Sequence, residues 1–303
     1  MNVGAWATAH GYGAAWSLLR HLPERRAYRL GDLIADRVTA RNRRGVQRLR
    51  SNLRRAVAVD ALEAAVRAGM RSYVRYWIDA FRLPTWSPER VTGSVRTTGL
   101  EPVATTLASG RGVVAALAHL GNWDHAGAWS CRELAPLVTV AERLEPADVF
   151  DKFVAFRTGL GMEILPLTGG PAPMPILAER LGVGGFAPLL ADRDLTGRGV
   201  AVTLLGEAAM VASGPAVLAA RTGAALHPVV IHYEPRADIS NGWGLVIEFW
   251  PEVPIVGERA TGLRAAVQGY ADAWSSGIRA HPQDWHMLQR VFRSDLAEVS
   301  HTG

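Results

Sequence analysis

The stretch 118–127, AHLGNWDHAG, sets His119 and Asp124 five positions apart, directly after the uncharged apolar run VVAAL at 113–117. A neutral imidazole takes a proton from an alcohol through one ring nitrogen only if the other nitrogen keeps its own proton and is held in place. A nearby carboxylate does that holding, and it stabilises the imidazolium that forms. With no serine in the motif, such a pair suits a general base acting on an external hydroxyl, and the partner must then be an activated electrophile such as a thioester. Spacing by itself is unspecific, because a histidine and an aspartate this far apart arise often by chance, and a core histidine beside a helix cap is the competing reading. Position adds to the case: ligands gather at the carboxyl ends of strands in open α/β sheets, and His119 directly follows a strand candidate. Gly121 permits a tight turn, and Asn122 or Asp124 can cap a helix behind it. Across that turn Asp124 is expected to reach back to the imidazole.

Other charged residues follow apolar runs in the same way. Glu142 and Arg143 come after the strand candidate 137–141, where Glu142 suits sugar hydroxyls and Arg143 a phosphate, against a salt-bridged loop. Arg157, late in the helix candidate 147–160, can reach the same cleft or lie on a solvated face. Asp192, Arg193 and Asp194 follow the candidate 185–191, which puts two carboxylates and a guanidinium at the edge where His119 is expected, with a capped turn as the plain alternative. Residues 206–215, GEAAMVASGP, read as a turn entering a helix N-terminus, and they carry no Walker or G-x-G-x-x-G pattern. His281 and His286 are five apart and do not share one helical face, so no metal site is expected there. Cys131, the single cysteine, excludes an intramolecular disulfide and reads as a small buried helix residue.

The elements that would position these groups are legible as a change of texture. Residues 41–58 and 61–81 read as helices, the second with Leu62, Ala65, Val66, Met70, Val74 and Trp77 on one face, ended by Leu83-Pro84. From about Val95, strand candidates at 113–118, 137–141, 185–191, 201–205, 225–232 and 244–250 alternate with helix candidates at 123–134, 147–160, 173–181, 215–222 and 263–280. That alternation predicts an α/β sheet covered by helices, and no linker separates it from the helical start. The expected organisation is one domain over 1–303, with an N-terminal helical, membrane-facing part at 1–94 and an α/β core at 95–303.

Of 303 residues 49% are hydrophobic, ample for a large core. The net charge of +5 hides an asymmetry: residues 1–96 hold 18 arginines and no lysine against seven acids, a local balance of +11. A basic end attracts phosphate, whether in nucleic acid, anionic lipid or a nucleotide-bearing donor. Residues 1–19 carry no charge, but Asn2, Thr8, His10, Ser17 and three glycines argue against a signal peptide or a spanning helix. Trp6 and Trp16, followed by Arg20, Arg25, Arg26 and Arg29, fit a segment lying in the plane of an anionic membrane surface, with an ordinary packed helix as the alternative. No zinc-finger or RNA-recognition signature is present, which disfavours nucleic acid as a partner.

HLGNWD at 119–124 resembles the His-x4-Asp/Glu motif of the glycerolipid acyltransferases, in the branch of the bacterial lipid A late acyltransferases. Together with the arginine-rich start, the strings LLADRDLTGRGV and HPQDWHMLQRVF are most similar to the actinobacterial phosphatidylinositol mannoside acyltransferases, and the likeness covers nearly the whole chain. The resemblance implies a glycerolipid-acyltransferase-like fold, a central mixed sheet flanked by helices with an N-terminal helical extension. It implies an acyl-CoA-dependent enzyme, needing no cofactor or metal, at the cytoplasmic face of the cell membrane as a peripheral protein. The implied reaction moves a fatty acyl group, commonly palmitoyl, to the 6-hydroxyl of a mannose on a mannosylated phosphatidylinositol lipid. His119 would be the base and Asp124 its orienting partner, Asp192 or Asp194 would help orient the base or the acceptor hydroxyl, Arg193 would favour donor or lipid phosphate, and Trp285 and His286 would pack against the acceptor cleft. Three other readings compete. A metal-dependent glycosyltransferase would use Asp192-x-Asp194, and a serine hydrolase lacks its G-x-S-x-G elbow. The third is a noncatalytic protein binding anionic membranes.

Overall fold

The computed structural model describes residues 22–143, 147–195 and 197–297; residues 1–19, with Trp6 and Trp16, lie outside the described residues. Among the described residues, the helices α1 (Glu24–Ala40), α2 (Arg44–Leu53) and α3 (Leu62–Arg82) come first. Asn42 ends the first of these in the left-handed region (φ 44°), which its short polar side chain tolerates. The helix expected over 41–58 therefore starts later, and it also stops sooner, at Leu53. A short α4 (Pro88–Gly93), capped by Ser87 and opened by Pro88, leads to strand β1 (Val95–Thr98). Then follow α5 (Leu100–Ala108), β2 (Val113–Leu117), α6 (Trp123–Glu133), β3 (Val138–Ala141), α7 (Ala147–Gly159), β4 (Glu163–Pro166), α8 (Pro173–Gly182) and β5 (Phe186–Leu190). The chain continues with β6 (Val200–Leu204), β7 (Glu207–Val211), α9 (Gly214–Thr222), β8 (Ala225–Pro235), β9 (Trp243–Phe249), α10 (Arg259–Ala280) and α11 (Arg293–Ala297).

The architecture is α/β. Five strands form the central sheet in the order β1-β9-β8-β2-β5, and it is mixed, because β8 and β9 run antiparallel while the other neighbours are parallel. Strands β3 and β4 pair with each other beside it. The segment 206–215 departs from expectation: 207–211 is a strand, folded back on β6 through the two-residue turn Leu205-Gly206, both at positive φ. Such a turn matches the twist of a tight hairpin, and a glycine at its second position makes it accessible.

Alternation along the buried strands sorts the core onto two faces. Val114 and Ala116 of β2 pack with Leu226 and Val230 of β8 and with Tyr270, Ala271 and Trp274 of α10. Leu49, Leu53, Val66 and Met70 of the N-terminal helices belong to that same cluster, so the helical start shares the core of the sheet. Ala115 and Leu117 face the other way, onto Ala126, Ala128 and Trp129 of α6 and onto Phe153 and Phe156 of α7. Among the described residues, no helix is long and apolar enough to cross a membrane.

Candidate active site

The register of two parallel strands builds the centre of the site. Leu117, the last residue of β2, lies opposite Leu190, the last of β5. His119 and Asp192 each stand two residues beyond, and they meet: His119 Nδ1 lies 2.5 Å from Asp192 Oδ1, and the His119 amide donates to Asp192 Oδ2 at 2.9 Å. The indole N–H of Trp285 adds a third bond, to Asp192 Oδ2 at 3.0 Å. Burial pushes the Asp192 carboxyl up, but the His119 ring and these donors outweigh it and hold the group below its ordinary value. An ionised Asp192 can only accept, so the proton of a neutral imidazole sits on Nδ1 and Nε2 carries the lone pair. His119 is 19% exposed at its side chain and Asp192 0%, so the ring faces the cleft while its anchor is shut away from water. Trp123 packs edge-on against the imidazole, ring centroids 5.3 Å apart.

Gly121 is required where the loop turns. Its φ is 59°, and a Cβ there would stand 2.6 Å from the carbonyl oxygen of Ile231. Asn122, not Asp124, caps α6 by accepting the His125 amide at 2.9 Å.

Asp124 does not reach back to the imidazole. It is buried in the first turn of α6 and takes a fork from Arg157, Nε to Oδ1 at 2.7 Å and Nη2 to Oδ2 at 3.3 Å, with the Tyr76 hydroxyl donating to Oδ2 at 2.8 Å. The physical reason is competition. A permanent guanidinium in a bidentate geometry is a stronger partner for a buried carboxylate than a neutral ring across a turn. Burial opposes the charge on Arg157, but Asp124 and then Tyr76 outweigh it and raise the pKa of the guanidinium further.

Two cavities meet at these groups. The larger, about 460 Å³, is lined by His119, Trp123, Tyr76, Glu142, Arg157, Arg193 and Arg198, with an apolar wall that includes Phe150, Phe153, Leu177 and Leu189. The smaller, about 60 Å³, runs between α6 and the sheet past Ala115, Gly127, Met162, Phe186, Val229 and Phe249. Trp123, Val140, Arg157 and Leu190 line both. Glu142 accepts from Arg193 Nη2 at 2.5 Å, and Arg193 also donates to Gln289. Arg143 lines neither cavity; it donates to the Gly169 carbonyl at 3.1 Å and lies over the Phe150 ring, 5.8 Å from its centroid. Asp194 folds back to accept the Gly199 amide at 2.6 Å. The two aspartates that a metal-dependent glycosyltransferase would need are thus engaged separately.

Trp285 and His286 were expected to pack against the acceptor cleft, and they line neither cavity. Both are buried behind the His119 loop, where Leu120 bridges Trp285 and the His286 amide donates to the His119 carbonyl at 2.8 Å. Ser72 gives its hydroxyl proton to Asp284 at 2.5 Å and accepts from His286 Nε2 at 3.0 Å. Burial, then the charges of Arg75 and His119, pushes the His286 pKa down to about 3, so its ring is neutral. Cys131 is half-buried.

His232, His281 and Asp284 bring possible metal-ligand atoms within 4.8 Å of one another. Yet the two rings are stacked, 3.5 Å between centroids and 6° from parallel. A metal lies in the plane of the imidazole that binds it, and one ion cannot lie in both planes. As placed, the cluster is not a metal site.

A tethered histidine lines a largely apolar cleft that carries a few charged groups, a geometry that suits transfer of a group with a long apolar part. The chain is 41% identical over 300 residues to the phosphatidylinositol mannoside acyltransferase of Mycolicibacterium smegmatis, covering 98% of this chain and 95% of that protein. It is 39% identical over 306 residues to the phosphatidylinositol mannoside acyltransferase of Mycobacterium tuberculosis, in strains CDC 1551 and H37Rv alike, covering 98% and 92%. The profile of the bacterial lipid A biosynthesis acyltransferases matches residues 3–294. With the fold and nearly its whole length in agreement, the chain belongs to that family of acyltransferases.

Proposed function

We propose that this acyltransferase moves a fatty acyl group, palmitoyl in the favoured case, from acyl-CoA to the 6-hydroxyl of a mannose on a mannosylated phosphatidylinositol lipid. The observation that carries the reading is the His119–Asp192 pair, with the His119 ring lining the larger cavity and its neighbour Trp123 lining both. His119 Nε2 takes the proton of the sugar hydroxyl as its oxygen attacks the thioester carbonyl. When the tetrahedral intermediate collapses the C–S bond breaks, and the imidazolium returns the proton to the departing thiolate. Asp192 holds the ring and stabilises its charged form through both steps.

Placement of the substrates follows from polarity. The acyl chain lies on the apolar wall of the cleft and enters the gap under α6, where Met162, unbranched and adaptable, yields to it. Glu142 suits the sugar hydroxyls, and Arg193 with Arg198 suits phosphate. Arg157, fixed by Asp124, holds the junction between the two. On the outer side of α1, Leu30, Leu33 and Ile34 are exposed, Leu33 by 68%, which supports seating of this helix on a membrane surface.

The test is transfer of labelled palmitoyl-CoA to a panel of mannosylated phosphatidylinositols, with mass spectrometry of the product. His119→Ala is expected to lose about 10³-fold in rate, within the range typical of general bases, while still binding donor. Near-full transfer by that variant sinks the base role. Activity should be indifferent to a chelator, whereas a metal-dependent glycosyltransferase would stop.

A further inference from the structure

We infer that Trp285 is a positioning residue for the transfer reaction: its indole N–H, seated on Asp192 Oδ2, fixes the carboxylate that in turn fixes the His119 ring. The inference rests on the reading of His119 as the base, and it concerns a buried side chain that lines neither cavity.

The carboxylate of Asp192 is bound asymmetrically. Oδ1 serves the imidazole, and Oδ2 receives two donors, the His119 amide and the Trp285 indole. The terminal torsion of an aspartate is soft and nearly two-fold, so a carboxylate held at one oxygen only can swing. Two donors on Oδ2 from different directions remove that freedom. One of them, the His119 amide, belongs to the loop that carries the base, so it moves with that loop. Trp285 supplies the reference fixed elsewhere.

Trp285 is well suited to be that reference. It is fully buried and meets Phe292 edge-on, centroids 6.4 Å apart. Its neighbours grip the loop on both sides: the Asp284 carbonyl accepts the Gly121 amide at 2.9 Å, and the His286 amide donates to the His119 carbonyl at 2.8 Å. Asp284 is itself tied to Ser72 and to the Tyr233 amide at 3.0 Å. The segment 284–286 thus clamps 119–121 through its backbone and Asp192 through one side-chain atom. A buried indole does not need a carboxylate to be satisfied here: Trp274 donates to a backbone carbonyl, that of Ala116, at 3.1 Å. Placing the donor of Trp285 on the one carboxylate that holds the base gives it a role in orientation beyond filling space.

The decisive variant replaces Trp285 with benzothienylalanine, which keeps the bicyclic volume and exchanges the N–H for sulfur; Trp285→Phe is the genetic counterpart. Losing a charge-assisted donor makes Asp192 more basic, so it pulls harder on the Nδ1 proton and favours the imidazolium. The base then stays protonated to higher pH. Expected are a fall in kcat of roughly tenfold, donor and acceptor KM within about twofold, and an acid limb of the kcat profile moved upward by about one pH unit. A role in packing alone would lower Tm and folded yield while leaving the limb and kcat per folded molecule unchanged, and that result in the benzothienylalanine protein overturns the inference. His119→Ala, run beside it, separates the two ideas. If that variant keeps its activity, the base reading fails, and the proposal for Trp285 fails with it. If it is inactive while the benzothienylalanine protein behaves as wild type, only the proposal for Trp285 falls.

Discussion

Asp124 and Asp192 are both buried, both bound by three donors and both close to the cleft, yet their surroundings assign them opposite work. Asp192 is held by an amide, an indole and a titratable ring, so it is the only full charge in its set and its influence falls on His119. Asp124 is held by a guanidinium and a phenol, so its charge is spent on a permanent cation. A carboxylate beside a neutral base shapes proton transfer, whereas one beside an arginine shapes position. Residue type and proximity to the histidine in sequence do not distinguish these cases; the partner does.

The contrast can be broken experimentally. Asp192→Asn should retain the fold and lose about 10³-fold in kcat, because the amide holds the ring without stabilising its charged form. Asp124→Asn should do the reverse and destabilise the protein by about 3 kcal/mol, since it leaves Arg157 buried without its counter-charge. The checks are steady-state kinetics on folded protein and denaturant unfolding. If the two variants exchange phenotypes, Asp124 is the orienting acid after all. Equal loss of activity in both, with stability unchanged, would erase the distinction.

A pH experiment sharpens the comparison. His125 follows Asp124 in the chain and His286 follows Trp285, and burial leads the causes that depress both, to about 4 and about 3. Below about pH 6.5 the unfolded chain protonates these histidines while the folded chain does not. Their contribution is therefore complete above that pH and is lost as pH falls toward the folded values, at up to roughly 1.4 kcal/mol per pH unit for each. His286→Asn should flatten the slope between pH 6.5 and pH 4, and an unchanged slope would place the acid sensitivity elsewhere. The smallest expected effect is at Arg157→Lys, which keeps the charge and loses the fork: donor KM should rise about threefold with kcat within twofold. A change confined to acceptor KM would place the acyl donor on the wrong side of the cleft.

Much of this arrangement is legible in the residues. Uncharged runs locate β2, β5 and β8 to within a residue or two at their starts, although β8 continues to Pro235, beyond the expected 232, because its last residues pair with β9. The four-residue strands β1 and β4 carry too little pattern to stand out. Asp192 was visible as a residue at the same sheet edge as His119. The missing information was the register, since opposing Leu117 with Leu190 makes the two residues that follow by two positions neighbours, and it separates Asp192 from Asp194. Trp285 and His286 were legible as partners of the site but not as buried ones. A tryptophan beside an aspartate and a histidine reads equally well as a cleft wall or as a strut.

What the amino-acid order determined by itself was chemistry and local shape: a histidine after an apolar strand, a glycine able to turn the chain, an asparagine able to cap the next helix, and a basic first third. These depend on side-chain type and on contacts a few residues long. Which acid serves the histidine was decided only in three dimensions, where a parallel register joins residues 73 positions apart and a guanidinium from another helix claims the nearer carboxylate. Charge in a low-dielectric interior goes to the partner with the best geometry and the fullest charge, and only the folded chain determines who that is.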